Sequence, residues 1–410
     1  MNGANLHERG KDSLGSARKL KILHVIATAD PASGGPIEGI VRQNEATKHL
    51  CDRELVTVDP PSAPFLESFG LRVHALGRAP DARFNRGFLR HYGYTPHLIS
   101  WLRRHAREYD TIIVNGLWNF TAFSASMALP GHRTPYFVFT HGMMDPWFKE
   151  TYPLKHLAKI AFWIFVEGRL LAGARKVFFT SEEERRLAHG QFPLWRYKEQ
   201  VVGYGTAAPP PASTAQRAAF EAVAPNVGGR PYLLFLSRIH RKKGCDLLID
   251  AFAKVASQRP DLQLVIAGPD QEGLVSVFQE RAKALGMAER IHWPGMLKGD
   301  AKWGAYRGAE AFILPSHQEN FGIVVAEALA CGAPVLITNK VNIWREIEAS
   351  SAGLVENDDA EGAEALLSGW LAMDEGQRAA MRAAALQAFE KHFDVAQVGP
   401  ALIQTIEGSL

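Results

Sequence analysis

Three cysteines among 410 residues leave little for a disulfide framework. Cys51, Cys245 and Cys331 lie far apart and in no metal-ligand spacing, which fits a reducing cytosol. Long apolar runs are also missing. The most apolar stretch, 160–166, falls far short of the ~18 residues of a membrane-spanning helix. The first 19 residues are polar and hold no apolar segment of signal-peptide length. An excess of one charge is missing too: the net +3 argues against a dedicated nucleic-acid binder. That balance hides an asymmetry. Residues 1–205 hold 27 Lys and Arg against 19 Asp and Glu, and the remainder 19 against 24. A basic amino-terminal half suits an anionic acceptor or an anionic membrane surface, or is a plain surface bias.

What is present is alternation. With 47% hydrophobic residues, the chain is long enough for two buried cores. Expected strands at 19–27, 54–58, 72–75, 111–115, 136–140, 176–180 and 200–203 are separated by helical patterns, one of them long, over 154–172. A stretch rich in Pro, Ala and Gly follows over 207–229. A second series then runs through strands at 232–236, 262–267, 290–293 and 311–314 with helices between. Alternation twice over predicts an α/β chain with two doubly wound sheets. The expected division is a disordered tail (1–18), a first Rossmann-like domain (19–206), a linker (207–229), a second such domain (230–391) and a terminal helix (392–410). Pro60 to Pro64 and the basic segment 78–90 read as loops.

The most informative stretch is 316–338, SHQENFGIVVAEALACGAPVLIT. Glu319 falls in a strand-to-helix loop and Glu327 lies inside the helix that follows. Gly322 leaves room at the helix start, where the backbone N–H groups of Ile323 and Val324 are free to bind phosphate or hydroxyl oxygens. A Glu within so apolar a helix is costly without a partner. Upstream, Arg238 leaves a strand end and Lys243 sits at the next helix start. Two cations beside an anion-binding turn would neutralise a diphosphate without a metal. In the first half, the turn 30–36 (DPASGGP) and His141-Gly142 follow strands, as Trp118 and Asp145 follow the same or neighbouring strand ends. Polar residues placed there line the crevice in which open α/β sheets bind ligands.

Glu319-x7-Glu327, the Arg238-x4-Lys243-Gly244 pair, Gly268 in its small-residue loop and THGMMDPW around His141 together resemble the retaining family-4 glycosyltransferases, particularly those of bacterial exopolysaccharide and O-antigen synthesis. The resemblance runs from about Lys19 onward and is strongest in the second half. It implies the GT-B architecture, two Rossmann-like domains facing across a cleft with the terminal helix crossing back to the first. It implies a nucleotide-diphosphate sugar as donor substrate and no cofactor. His141, Arg238, Lys243 and Glu319 would then be catalytic. Gly35, Gly268, Asn320, Phe321, Gly322, Ile323, Val324 and Glu327 would hold the donor, with Glu327 on the ribose, and Asp145 and Trp118 the acceptor, a sugar or lipid-linked oligosaccharide. No metal site is expected, since no Asp-x-Asp occurs in a suitable loop. The chain departs from the family where Gly203-Tyr204-Gly205-Thr206 replaces Pro-Asn-Gly-Val. Other classes consistent with the motifs are a sugar-nucleotide epimerase or hydrolase and a silent sugar-nucleotide-binding scaffold.

The segment 153–166 joins apolar residues at i, i+3, i+7 and i+10 (Leu154, Leu157, Ala161, Ile164) to Lys155, Lys159, Phe162 and Trp163. It reads either as a core helix or as an amphipathic helix lying in a lipid interface. The second reading places a cytoplasmic protein peripherally on the inner face of the membrane.

Overall fold

In the computed structural model, residues 18–79, 92–151 and 153–410 are described. The tail expected over 1–18 lies outside them except for Arg18, and the loop over 78–90 except for Arg78 and Ala79.

The first sheet holds β1 (Leu20–Val25), β2 (Cys51–Thr57), β3 (Arg72–Ala75), β4 (Thr111–Asn115), β5 (Tyr136–Phe139), β6 (Val177–Phe179) and β7 (Glu199–Val201). Its order is β3-β2-β1-β4-β5-β6-β7. The second holds β8 (Tyr232–Leu236), β9 (Gln263–Ala267), β10 (Ile291–Gly295), β11 (Ala311–Leu314), β12 (Val335–Thr338) and β13 (Gly353–Glu356), in the order β10-β9-β8-β11-β12-β13. All pairings are parallel. Every residue of β8, β9, β11 and β12 is buried. That is why these strands read as apolar runs rather than alternating patterns.

The order in which strands are added reverses once in each sheet, between β1 and β4 and between β8 and β11. Ligands of open α/β sheets bind outside the strand ends at such points. The loops carrying Gly35 and Trp118 leave the first reversal, and those carrying Arg238 and Glu319 leave the second. Topology thus gathers residues that the sequence scatters.

The last helix, Val395–Glu407, returns to the first domain. Its Leu402, Ile403 and Ile406 share a core with Leu20, Ile22, Ile113, Phe137, Phe139 and Phe178. The crossing is pinned by backbone bonds from Thr206 N to Phe393 O (2.9 Å) and from Val395 N to Thr206 O (3.1 Å). Gly203 and Gly205 make the crossing possible: a Cβ on Gly205 would stand 2.1 Å from Phe393 O.

Three elements differ from expectation. The stretch 207–229 contains a helix, Thr214–Val223, capped by Ser213, whose Oγ accepts from Gln216 N. It packs on the helix Gly299–Gly308, where Gly304 permits close approach, and it buries Phe220 against Tyr232. Its alanines give helix propensity that the flanking prolines masked. Strand β13 was not expected, being short and led by glycine. The helix expected over 154–172 runs as Pro153–Phe162, a π-helical turn Trp163–Glu167, and Gly168–Gly173.

Candidate active site

Gly322 adopts φ +71 and caps the helix Ile323–Ala330, so the amides of Ile323 and Val324 have no intrahelical acceptors. Glu319 precedes it in the loop, its N–H on Lys340 O at 2.9 Å. Lys243 is buried, and its Nζ donates to Glu319 Oε2 and to Gln318 O (3.4 Å). The structure therefore joins two of the expected catalytic residues directly. Arg238 stays exposed at the end of β8, its Nη1 on Gln271 Oε1 at 3.1 Å. Gly268, with φ +148, stands where a Cβ would lie 1.7 Å from Ser237 O, so only glycine lets these loops close on each other.

Glu327 has a side chain only 4% exposed. Its Oε1 accepts from Lys302 Nζ and from Arg42 Nη2, each at 2.9 Å, and its Oε2 from the Tyr306 hydroxyl at 3.3 Å. The cost of burying it is met by these partners. Burial and the neighbouring carboxylate push the Tyr306 hydroxyl far above its usual range.

On the facing domain, His141 lies just beyond β5 with φ +49, stacks on Phe139 and shares a hydrogen bond (3.3 Å) between its Nε2 and Asn115 Oδ1. Desolvation lowers it to about 4, so the ring is neutral near pH 7. Glu184 holds this turn. Its Oε1 accepts from Thr140 Oγ1 and Gly142 N, and its Oε2 from Thr180 N and Oγ1, all within 2.6–2.7 Å. Gly35 opens the helix Gly35–Thr47 and its carbonyl accepts from the Tyr204 hydroxyl at 3.1 Å. Trp118, with φ +63, donates its N–H to buried Glu167 (2.7 Å) and its indole Nε1–H to Met143 O (3.0 Å). Lys159 Nζ lies 4.9 Å from the Trp118 ring centre. Asp145 accepts from Trp147 N at 2.8 Å.

The two sides touch. Asn320 reaches Thr180 Oγ1 (3.2 Å) and lies where a Cβ on Gly142 would stand. Arg345 meets Glu183 at 2.6 Å, and Lys242 Nζ stands 3.7 Å over the Trp147 ring. Phe321, expected at the donor, turns its ring into an aromatic seam with Tyr204 (5.1 Å) and Phe393 (5.8 Å). Tyr204, at the departure from the family pattern, is thus an interdomain contact. Trp303 and Tyr306 pack as side chains of the second core. Among the described residues, no three His, Cys, Asp or Glu side chains converge in a way that could hold a metal ion.

Sequence reading missed Arg42 and Glu184. Arg42 follows Gly35 by seven residues on one helix face, a spacing that could have pointed to it. Glu184 lies in a run of three acids at a helix start, and nothing in that run marks it as the one that holds the His141 turn.

Two parallel doubly wound sheets closing on a cleft, with a terminal helix that returns to the first, define the GT-B architecture. The profile described as glycosyl transferases group 1 matches residues 216–387, and that of the glycosyl transferase 4-like domain matches residues 34–205. The chain belongs to this family of glycosyltransferases. Mannosylfructose-phosphate synthase of Agrobacterium fabrum is 32% identical over 121 residues, 28% of this chain and 27% of that protein. D-inositol 3-phosphate glycosyltransferase of an Arthrobacter species is 34% identical over 129 residues, 31% of each chain. The matched segments thus span under a third of these two relatives. Among solved structures, Anabaena HepE in complex with UDP and glucose superposes with TM-score 0.73 at 18% identity, over 95% of this chain and 99% of that one. WaaG, a glycosyltransferase involved in lipopolysaccharide biosynthesis, gives 0.65 at 16%, over 94% and 100%.

Proposed function

We propose that the chain transfers a hexose from a nucleotide-diphosphate sugar to a sugar or lipid-linked oligosaccharide acceptor, with retention at the anomeric carbon, in the synthesis of a bacterial surface polysaccharide. The observation that carries this is the meeting of Lys243, Glu319 and the capped helix start at Gly322 at one switch point, beside buried Glu327 and opposite the His141 turn. The bond from the anomeric carbon to the leaving diphosphate breaks towards an oxocarbenium-like state. Lys243, Arg238 and the amides of Ile323 and Val324 stabilise the charge that grows on the diphosphate. The acceptor oxygen bonds to the same face, and its proton passes to a leaving phosphate oxygen. Neutral His141 is a hydrogen-bond partner for a donor hydroxyl near the reacting carbon.

Thermal shift against UDP-, GDP- and ADP-sugars identifies the donor. Turnover is then followed with a lipid-linked oligosaccharide, without acceptor, and with Lys243→Ala. Transfer that falls by orders of magnitude in the variant, with the fold intact, supports the assignment. Near-normal turnover sinks it. Donor breakdown or epimerisation without acceptor points instead to a hydrolase or epimerase, and binding without turnover to a scaffold. The names of the Agrobacterium and Arthrobacter relatives favour a second acceptor class, phosphorylated sugars or polyols, which joins the acceptor panel.

A further inference from the structure

The segment 320–327 is fastened to the first domain at both ends. At its start, Asn320 meets Thr180 and lies against Gly142, and Phe321 packs on Tyr204. At its end, Glu327 meets Arg42, a residue 285 positions away in the chain. Between them lies the helix start at Gly322. Arg42 is mostly buried, and it also pairs with Glu38 one turn earlier on its own helix. Burial alone would lower the guanidinium, but the two carboxylates hold it above its usual range. Its other terminal nitrogen, Nη1, is buried without a hydrogen-bond partner among the described residues. A ligand oxygen entering the cleft would satisfy such a donor.

We propose that Arg42 is a positioning residue through which the first domain controls the donor site. Its ion pair with Glu327 latches the domains closed and orients that carboxylate towards a ribose hydroxyl. The inference rests on the donor reading above. The pair is desolvated only when the domains close; in an open cleft, water and salt screen it. Donor binding and closure therefore support each other, and a residue on the first domain sets affinity for a ligand held by the second. Lysine keeps the charge but has a shorter reach than the guanidinium, whose Nη2 meets both Glu38 and Glu327, and it lacks a second terminal nitrogen such as Nη1.

The test uses the full chain as wild type, Arg42→Ala, Arg42→Lys and the Arg42→Ala/Glu327→Ala pair. Small-angle scattering is recorded without ligand and with UDP, GDP and ADP, and the affinities are measured by calorimetry. Arg42→Ala should enlarge the radius of gyration even without nucleotide. It should weaken the bound nucleotide about tenfold, within the usual range of site-to-site coupling, and Arg42→Lys should recover part of both. Combined with Glu327→Ala, its effect should largely vanish, because the partner is already gone. An unchanged radius with full additivity overturns the latch, as does tighter binding in Arg42→Ala, which would make Arg42 a competitor of the donor. If no nucleotide binds the wild type, the donor reading fails, while the unliganded scattering still decides the latch.

Discussion

Two buried carboxylates on the first domain behave in opposite ways. Glu184 is saturated, with four donors on its two oxygens, and the His141 turn depends on it. Glu167, inside the π-helical turn, receives only the Trp118 N–H, and its Oε2 is buried without a partner among the described residues. Burial raises its carboxyl from an ordinary value near 4.5 to about 8, against the pull of the Trp118 N–H and of Lys159, so it stays protonated at neutral pH. An acid raised in this way stabilises the fold fully below pH 4.5 and loses that contribution as pH rises through about 8. Glu167→Gln should therefore flatten the fall in melting temperature between pH 5 and 8.5, a fall whose slope reaches at most about 1.4 kcal/mol per pH unit for one group. Parallel pH profiles for wild type and variant would refute this account. Side chains of this kind were barely legible beforehand. Arg42 and Glu184 acquire meaning from partners that only the fold supplies, whereas Lys243 and Glu319 stand in local turns whose geometry their neighbours announce.

Elements were legible where a strand is buried on both faces, as β8 and β11 are. They were obscured where composition misdirects, as in the helix Thr214–Val223 among prolines. The sequence of the helix beginning at Pro153 admits two readings, and the structure divides it. Trp163 is buried against Phe192, while Leu154, Leu157 and Phe165 are 82%, 64% and 77% exposed. Leu194 is equally exposed, and Trp195 packs on Gly168 of the same helical stretch. Of the expected apolar stripe, Ile164 is partly buried and Ala161 exposed; the side chain of Lys155 lies outside the described residues. We propose that this face rests on an anionic membrane. The wild type should sediment with anionic liposomes at low salt, and Leu154→Ser/Phe165→Ser should release most of it. Equal recovery in the supernatant with and without liposomes would leave a soluble acceptor as the better assignment. No helix among the described residues is long and apolar enough to cross a membrane.

At the scale of the whole molecule, charge compensation at the cleft comes from both domains. Lys243 and Arg238 follow β8 at the second switch point and Arg42 lies on the helix after β1 at the first, while Lys302 reaches in from the helix after the edge strand β10. Lys243 is paired with Glu319, and Lys302 and Arg42 with Glu327, yet Arg238 has no carboxylate partner among the described residues, so the proposed transfer should proceed in EDTA at its ordinary rate; abolition by EDTA and recovery with Mg²⁺ or Mn²⁺ would show that the cations do not suffice. The return of the helix Val395–Glu407 has a consequence for synthesis. Leu402, Ile403 and Ile406 complete the layer beneath β1, β4, β5 and β6. A ribosome adds residues at roughly 5–20 per second, and domains ordinarily fold as they emerge. Here the first domain is translated with part of one side of its sheet uncovered, the rest of that side being covered by the helix Gly35–Thr47, and it waits roughly 10–40 seconds while the second domain is made. During that interval Phe137, Phe139 and Phe178 face the cell rather than a core, so nascent-chain chaperones should engage this half until the last helix arrives.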